Sequence, residues 1–133
     1  MKEIIHTQNA PIPIGPYVQG IVFKNIIFIS GQISINPLNN KIENNNIEKQ
    51  TVQVLKNIKY IINKVNCSIK NIVKTTIFLI NLDDLNIINN IYKDFFIKNN
   101  AHYPARTCVE VSRLPKNAKV EIEAIAIKNN YSS

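Results

Sequence analysis

Lys119 to Ile127 reads KVEIEAIAI, and its alternation decides what kind of layer the chain can build. Successive side chains of a strand point to opposite faces. Val120, Ile122, Ala124 and Ala126 therefore form one wholly apolar face, while Glu121 and Glu123 share the other with Ile125 and Ile127. The first face is suited to packing under helices. The second mixes charge with large aliphatics, and a half-apolar exposed face is commonly covered by another subunit, so the pattern predicts a homo-oligomer.

Upstream, SRLPKNA (Ser112 to Ala118) joins this segment to a second strand, Arg106 to Val111, RTCVEV. Here Arg106, Cys108 and Glu110 point one way, and Thr107, Val109 and Val111 the other. If the two strands pair as a hairpin, the Arg106 face and the Glu121 face become one surface. An arginine fork suits bidentate binding of a carboxylate or phosphate; the structural alternative is an ion pair with Glu110 or Glu123. Cys108 as a nucleophile would need a base or a cationic site to form thiolate, and His102, before a proline turn, is the only neighbour in sequence. The plainer reading of Cys108 is a small buried side chain. Glu121 in a half-apolar setting could act as acid or base with a raised pKa, or be an ordinary solvated carboxylate.

Working back through the chain, Tyr17 to Phe23 and Ile26 to Ser30 read as antiparallel strands about a Lys24-Asn25 turn, continuing extended towards Ile35. Asn36 to Asn46 is a loop built on turn residues. From Ile47 to Val65, Val52, Leu55, Ile58, Ile61, Ile62 and Val65 recur at steps of three and four. This predicts an amphipathic helix with Asn45 and Glu48 as capping box and Asn66 as its stop. Asn71 to Leu82 is strand-like. Asp83-Asp84 then favours a helix start, Leu85, Ile88, Ile91, Tyr92 and Phe95 carry helical spacing, and Asn99-Asn100 ends it. The order is β-β-α-β-α-β-β in one domain, residues 1–133, an α+β arrangement with both helices on one face of a mixed sheet.

Composition narrows the function classes. Of 16 basic residues only Arg106 and Arg113 are arginines, and the lysines behind the net charge of +7 are scattered rather than clustered with aromatics. That argues for a solvated basic surface over nucleic-acid recognition. Two cysteines without disulfide or CxxC spacing point to a reducing compartment, and neither a signal-peptide core nor a long apolar run appears, so a cytoplasmic protein with no membrane partner is expected. His6 and His102 are isolated, which gives no metal-ligand spacing, and Gly15, Gly20 and Gly31 form no phosphate-binding loop.

IGPYVQG (Ile14 to Gly20), ISGQI (Ile29 to Ile33), NNIYKDFF, and PARTCVEVSRLPKNAKVEIEAIAI (Pro104 to Ile127) together resemble the RidA/YjgF family of reactive-intermediate deaminases, in order and over almost the whole chain. The resemblance implies a chorismate-mutase-like fold, a homotrimer with clefts between subunits, and hydrolysis of 2-imino acids (2-iminobutanoate, 2-iminopropanoate) to 2-oxo acids and ammonia without a cofactor. It implies that Arg106 binds the substrate carboxylate and Glu121 positions or activates water. Tyr17, Ser30, Gly31, Asn89 and Cys108 would line the cleft, Gly31 and Cys108 chiefly through backbone groups. Asn39-Asn40 replaces a Thr-Gly turn common among relatives, which Asn tolerates at positive φ. Two other functions stay open: ribonuclease or translation-inhibitor activity, and a non-catalytic trimer that binds small carboxylates.

Overall fold

The computed structural model describes residues 1–42 and 46–129. Its elements are β1 (Lys2–Ile5), β2 (Gly20–Phe23), β3 (Ile26–Gln32), β4 (Ile35–Asn36), β5 (Lys41–Ile42), α1 (Ile47–Lys64), β6 (Ile72–Leu79), α2 (Leu85–Lys98), β7 (Ala105–Glu110) and β8 (Val120–Ile127). Six strands form a mixed sheet in the order β1-β2-β3-β8-β6-β7, and β4 and β5 make a separate small hairpin. The α+β class with two helices and a mixed sheet is as read from the sequence.

β8 alternates as expected: Val120, Ile122, Ala124 and Ala126 are buried, whereas Glu121, Glu123, Ile125 and Ile127 are not. Over the buried face lies α1, which contributes Val54, Leu55, Ile58, Ile61 and Ile62 to the core. Each such aliphatic side chain contributes about 1.5–3 kcal/mol when removed from water. The inward stripe of α1 is shifted from the predicted one: Val54 is fully buried and Val52 stands 45 % exposed. In α2 the deepest aromatic is Phe96, not Phe95.

Helix ends follow the asparagines. Asn46 caps α1, its Oδ1 accepting from the Lys49 amide at 3.1 Å. The predicted Asn45 lies outside the described residues. Asn66 and Asn100 take φ of 61° and 53° just beyond the two helices, the left-handed geometry that terminates a helix. Asn40 does the same at φ 58° between β4 and β5, while at the β2–β3 turn the left-handed residue is Lys24, φ 56°.

Two strand-level expectations need correction. β1 and the β4–β5 hairpin were not foreseen, because β1 buries only Ile5 and the hairpin is two residues a side. More consequentially, β7 and β8 do not pair. β6 lies between them, parallel to β7 and antiparallel to β8. The SRLPKNA connection carries the chain over β6 with Lys116 and Asn117 both left-handed, at φ 55° and 56°.

Buried polar groups tie the helix layer to the sheet end. The Asn57 amide on α1 donates to the Ile33 and Ile35 carbonyls at 3.2 and 3.0 Å, and its Oδ1 accepts from Gln53 at 2.8 Å. Gln50 on the same helix accepts from the Lys119 amide at 2.9 Å, one residue before β8. Asn57→Ala would remove the amide donor that these two carbonyls share, although the Ile33 carbonyl still accepts from the Ile35 amide at 2.8 Å, and is expected to destabilise by about 1–3 kcal/mol. Denaturant midpoints measured at one protein concentration check this; a change under about 0.5 kcal/mol would show that the carbonyls find other partners.

Candidate functional site

The predicted site residues fall into two groups. The first is built around a bulge in β3. Ile29 faces Ala124 and Gln32 faces Ile122, so Ser30 and Gly31 together oppose the single residue Glu123. A bulge of this kind turns both residues towards one face, here the face away from the helices that Glu121 and Glu123 occupy. The Ser30 hydroxyl donates to the Val18 carbonyl at 2.6 Å, and its amide donates to the Gln19 carbonyl at 3.0 Å. Those bonds bind the bulge to the loop that carries Tyr17, whose hydroxyl accepts from the Ile14 amide at 3.2 Å. Tyr17 and Gly31 line one narrow crevice.

The space beside Gly31 is taken by Glu121. A Cβ there would sit 2.7 Å from Glu121 Oε2 and 2.9 Å from its carboxyl carbon. The carboxyl of the half-buried Glu121 thus fills the place that a side chain at Gly31 would occupy. Burial pushes its pKa above the ordinary glutamate range, and the like charge of Glu123, two residues on, pushes the same way.

The second group sits on the edge strand β7 and on α2. Arg106 donates from a terminal guanidinium nitrogen to Asn89 Oδ1 at 2.8 Å, and its guanidinium carbon lies 5.0 Å from the centre of the Tyr92 ring. Asn89, Tyr92, Tyr103, Pro104 and Arg106 line an open pocket of about 310 Å³ that contains no carboxylate. Glu110 is not the partner of Arg106: its carboxylate accepts from the Leu82 amide at 2.8 Å. Cys108, two residues along β7, is in register with Ile77, and its partly buried side chain packs against the core.

The shared surface expected for Arg106 and Glu121 does not exist within one chain. Arg106 is in register with Thr75, a buried residue on the helix side, whereas Glu121 is in register with Phe78 on the opposite side. Three residues along β6 and two strand spacings across separate their Cα atoms by roughly 14 Å. The same register rules out the Arg106–Glu123 ion pair, since Glu123 faces Thr76.

Sequence reading missed Tyr92 as a site residue. Its place in the helical spacing of α2 marked it as core, and it is core, with 4 % exposure, but one ring face is turned to Arg106. The signal was available in Asn89 and Tyr92 lying three apart, one turn on the same helix face. Among the described residues no group of three or more His, Cys, Asp or Glu could hold a metal ion, and no helix is long and apolar enough to cross a membrane.

Comparison with known proteins gives consistent matches. The family model described as endoribonuclease L-PSP matches residues 7–128. A RutC family protein of Buchnera aphidicola subsp. Baizongia pistaciae is 54 % identical over 129 residues, 97 % of this chain and 99 % of that one. A 2-iminobutanoate/2-iminopropanoate deaminase of Escherichia coli is 46 % identical over 128 residues, 96 % of this chain and 99 % of that one. The crystal structure of E. coli TdcF with bound serine is similar with a TM-score of 0.93 at 44 % identity, covering 96 % of this chain and 99 % of the other.

The raised pKa of Glu121 makes a stability prediction. An acid whose folded pKa lies above its unfolded value holds its proton more tightly when folded, so folding is progressively disfavoured as pH rises from the ordinary glutamate value of about 4.3 through the folded pKa. Glu121→Gln removes that cost. Its melting temperature should exceed the parent's at pH 7, with the difference shrinking towards pH 4; a difference independent of pH would show that the carboxyl is not destabilised by its site.

Proposed function

The chain belongs to the endoribonuclease L-PSP family, which includes the RidA/YjgF deaminases, and from that premise we propose that it hydrolyses 2-iminobutanoate and 2-iminopropanoate, with their enamine tautomers, to 2-oxo acids and ammonia. The observation that carries the reading is Arg106 itself. Its fork is braced on one side by Asn89 and beneath by Tyr92, and it borders a pocket whose lining includes no carboxylate. A guanidinium so placed is suited to the carboxylate of a small 2-imino acid, which it can bind bidentately. The structure of TdcF with bound serine supports a small amino-acid-like ligand in this family.

The chemistry asks for little more. A protonated imine carbon is already electrophilic. Water adds to it, the adduct loses ammonia, and the carbonyl forms, so the iminium and one water give the 2-oxo acid and an ammonium ion. Glu121 takes the proton from the attacking water and returns it to the departing nitrogen, a role that its raised pKa favours because it brings the group nearer neutrality. Holding carboxylate, imine carbon and water in one arrangement supplies the rest of the acceleration.

Arg106 and Glu121 of one chain stand on opposite faces of the sheet, so they cannot serve one small substrate together. In this reading the site lies between subunits of a homotrimer. One subunit supplies Tyr17, Ser30, Gly31 and Glu121, and its neighbour supplies Asn89, Arg106 and Cys108. The outer sheet face favours such an assembly: Phe23, Phe28, Val73 and Val109 on it are between 38 and 45 % exposed in a single chain, an apolar surface that a second copy would cover.

The test is release of 2-oxobutanoate from its imine generated in situ. Arg106→Ala is expected to lower kcat/KM at least about 100-fold, and Arg106→Lys, which keeps the charge but not the fork, about tenfold or more. Parent-like turnover by Arg106→Ala would remove Arg106 as the anchor.

A further inference from the structure

Arg106 occupies a poor place for a rigid anchor. It lies on the edge strand β7, whose residues are exposed except for the partly buried Cys108. A free arginine there would lose about 2 kcal/mol of rotamer freedom on gripping a ligand. Something must fix the side chain beforehand if its fork is to be ready. Asn89 bonds one terminal nitrogen, but Asn89 is itself only partly buried on α2, and a single solvent-exposed hydrogen bond contributes little.

Tyr92 differs from Asn89 in being immobilised. Its hydroxyl lies 2.7 Å from Thr75 Oγ1, and both residues are buried, at 4 % and 2 % exposure. Its ring packs on Phe96 with centroids 4.7 Å apart. Burial pushes the phenol pKa above its usual range, so the hydroxyl remains neutral and bonded to Thr75 at working pH. Thr75 is also the residue that stands opposite Arg106 across the β6–β7 ladder. The ring plane is therefore referenced to the same strand pair that carries the arginine.

We infer that Tyr92 is a positioning residue, a fixed aromatic floor that holds the Arg106 guanidinium by its π face so that the fork is presented to a 2-oxo or 2-imino carboxylate. This rests on the carboxylate-anchoring role of Arg106 proposed above. The ring face holds the cation without using any of its N–H donors, and Asn89 uses one. The remaining donors stay free for ligand, which a carboxylate partner would not allow.

The two parts of the device can be separated. Tyr92→Phe keeps the ring and removes the hydroxyl; Tyr92→Leu keeps apolar bulk and removes the π face. Calorimetric binding of 2-oxobutanoate and deaminase kinetics are measured on parent, both variants, Arg106→Ala and the Tyr92→Leu/Arg106→Ala double variant. Tyr92→Leu is expected to weaken 2-oxobutanoate binding and raise KM about 5- to 30-fold, the range of a partly desolvated cation–π contact, with kcat changed less than threefold or so because ground and transition states share the carboxylate. Tyr92→Phe should recover most of that loss even if its melting temperature falls as far as that of Tyr92→Leu. In the Arg106→Ala background the further effect of Tyr92→Leu should vanish.

A merely structural tyrosine would lower thermal stability and kcat together, with no selective effect on KM, and would act equally with or without Arg106; either result overturns the inference. If the parent binds 2-oxobutanoate in a Tyr92-dependent way but has no deaminase turnover, the proposed reaction fails and the positioning role stands. If the parent does not bind 2-oxobutanoate at all, the anchor and its floor both fail.

Discussion

Every role assigned above depends on one constraint, that β8 can bury only one of its two faces against α1. Val120, Ile122, Ala124 and Ala126 take the buried side, with Ala124 and Ala126 small beneath the helix layer. The alternation of a strand then leaves Glu121 no choice of side. It must face away from both helices, over the β3 bulge, where the absence of a side chain at Gly31 makes room for its carboxyl. A one-residue slip of β8 would bury two glutamates and expose four apolar side chains, so the register is strongly held.

The second consequence comes from β6. Because it pairs with β8 on one side and with β7 on the other, it separates the strands that carry Glu121 and Arg106 and fixes their relative parity. Arg106 falls on the helix side, at the sheet edge, within reach of Asn89 and Tyr92 on α2. In the proposed reading the chain is thereby divided into an acidic half-site on the open face and a cationic half-site at the edge, and neither is equipped alone: one would have proton chemistry without an anchor, the other an anchor without a proton acceptor. Two copies that bring the open face of one against the edge of the next would complete the set, and cyclic closure by such a heterologous contact gives a ring.

Much of this was legible before the fold was known. The two helices, the apolar face of β8 and the placing of Glu121 on the opposite face followed from periods of 3.6 and 2, which are local properties. The turn asparagines were legible as well, because few residues other than glycine tolerate a left-handed backbone; Asn40, Asn66 and Asn100 all adopt it. Strand partners were not. Nothing in SRLPKNA distinguishes a connection between paired strands from one that passes over an intervening strand, and the intervening β6 lies more than 20 residues earlier in the chain. The face assignment of Arg106 relative to Glu121 inherited that error, although each strand's own alternation was read correctly. Tyr92 escaped notice for a related reason: core packing and site support look alike in a helical pattern, and only the neighbouring strand reveals that one ring face is used.

The central claim is that Arg106 of one subunit works with Glu121 of another, and subunit mixing tests it most directly. Arg106→Ala and Glu121→Gln chains, each expected to be inactive alone, are unfolded, combined in equal amounts and refolded together. If every site draws its arginine and its glutamate from different chains, random assembly restores about one quarter of the sites to the parental pair. Recovery near 25 % of parent deaminase activity is therefore the predicted result. Activity no greater than that of the two variants refolded separately would contradict the account, and would show that the two residues do not meet at a shared site between chains.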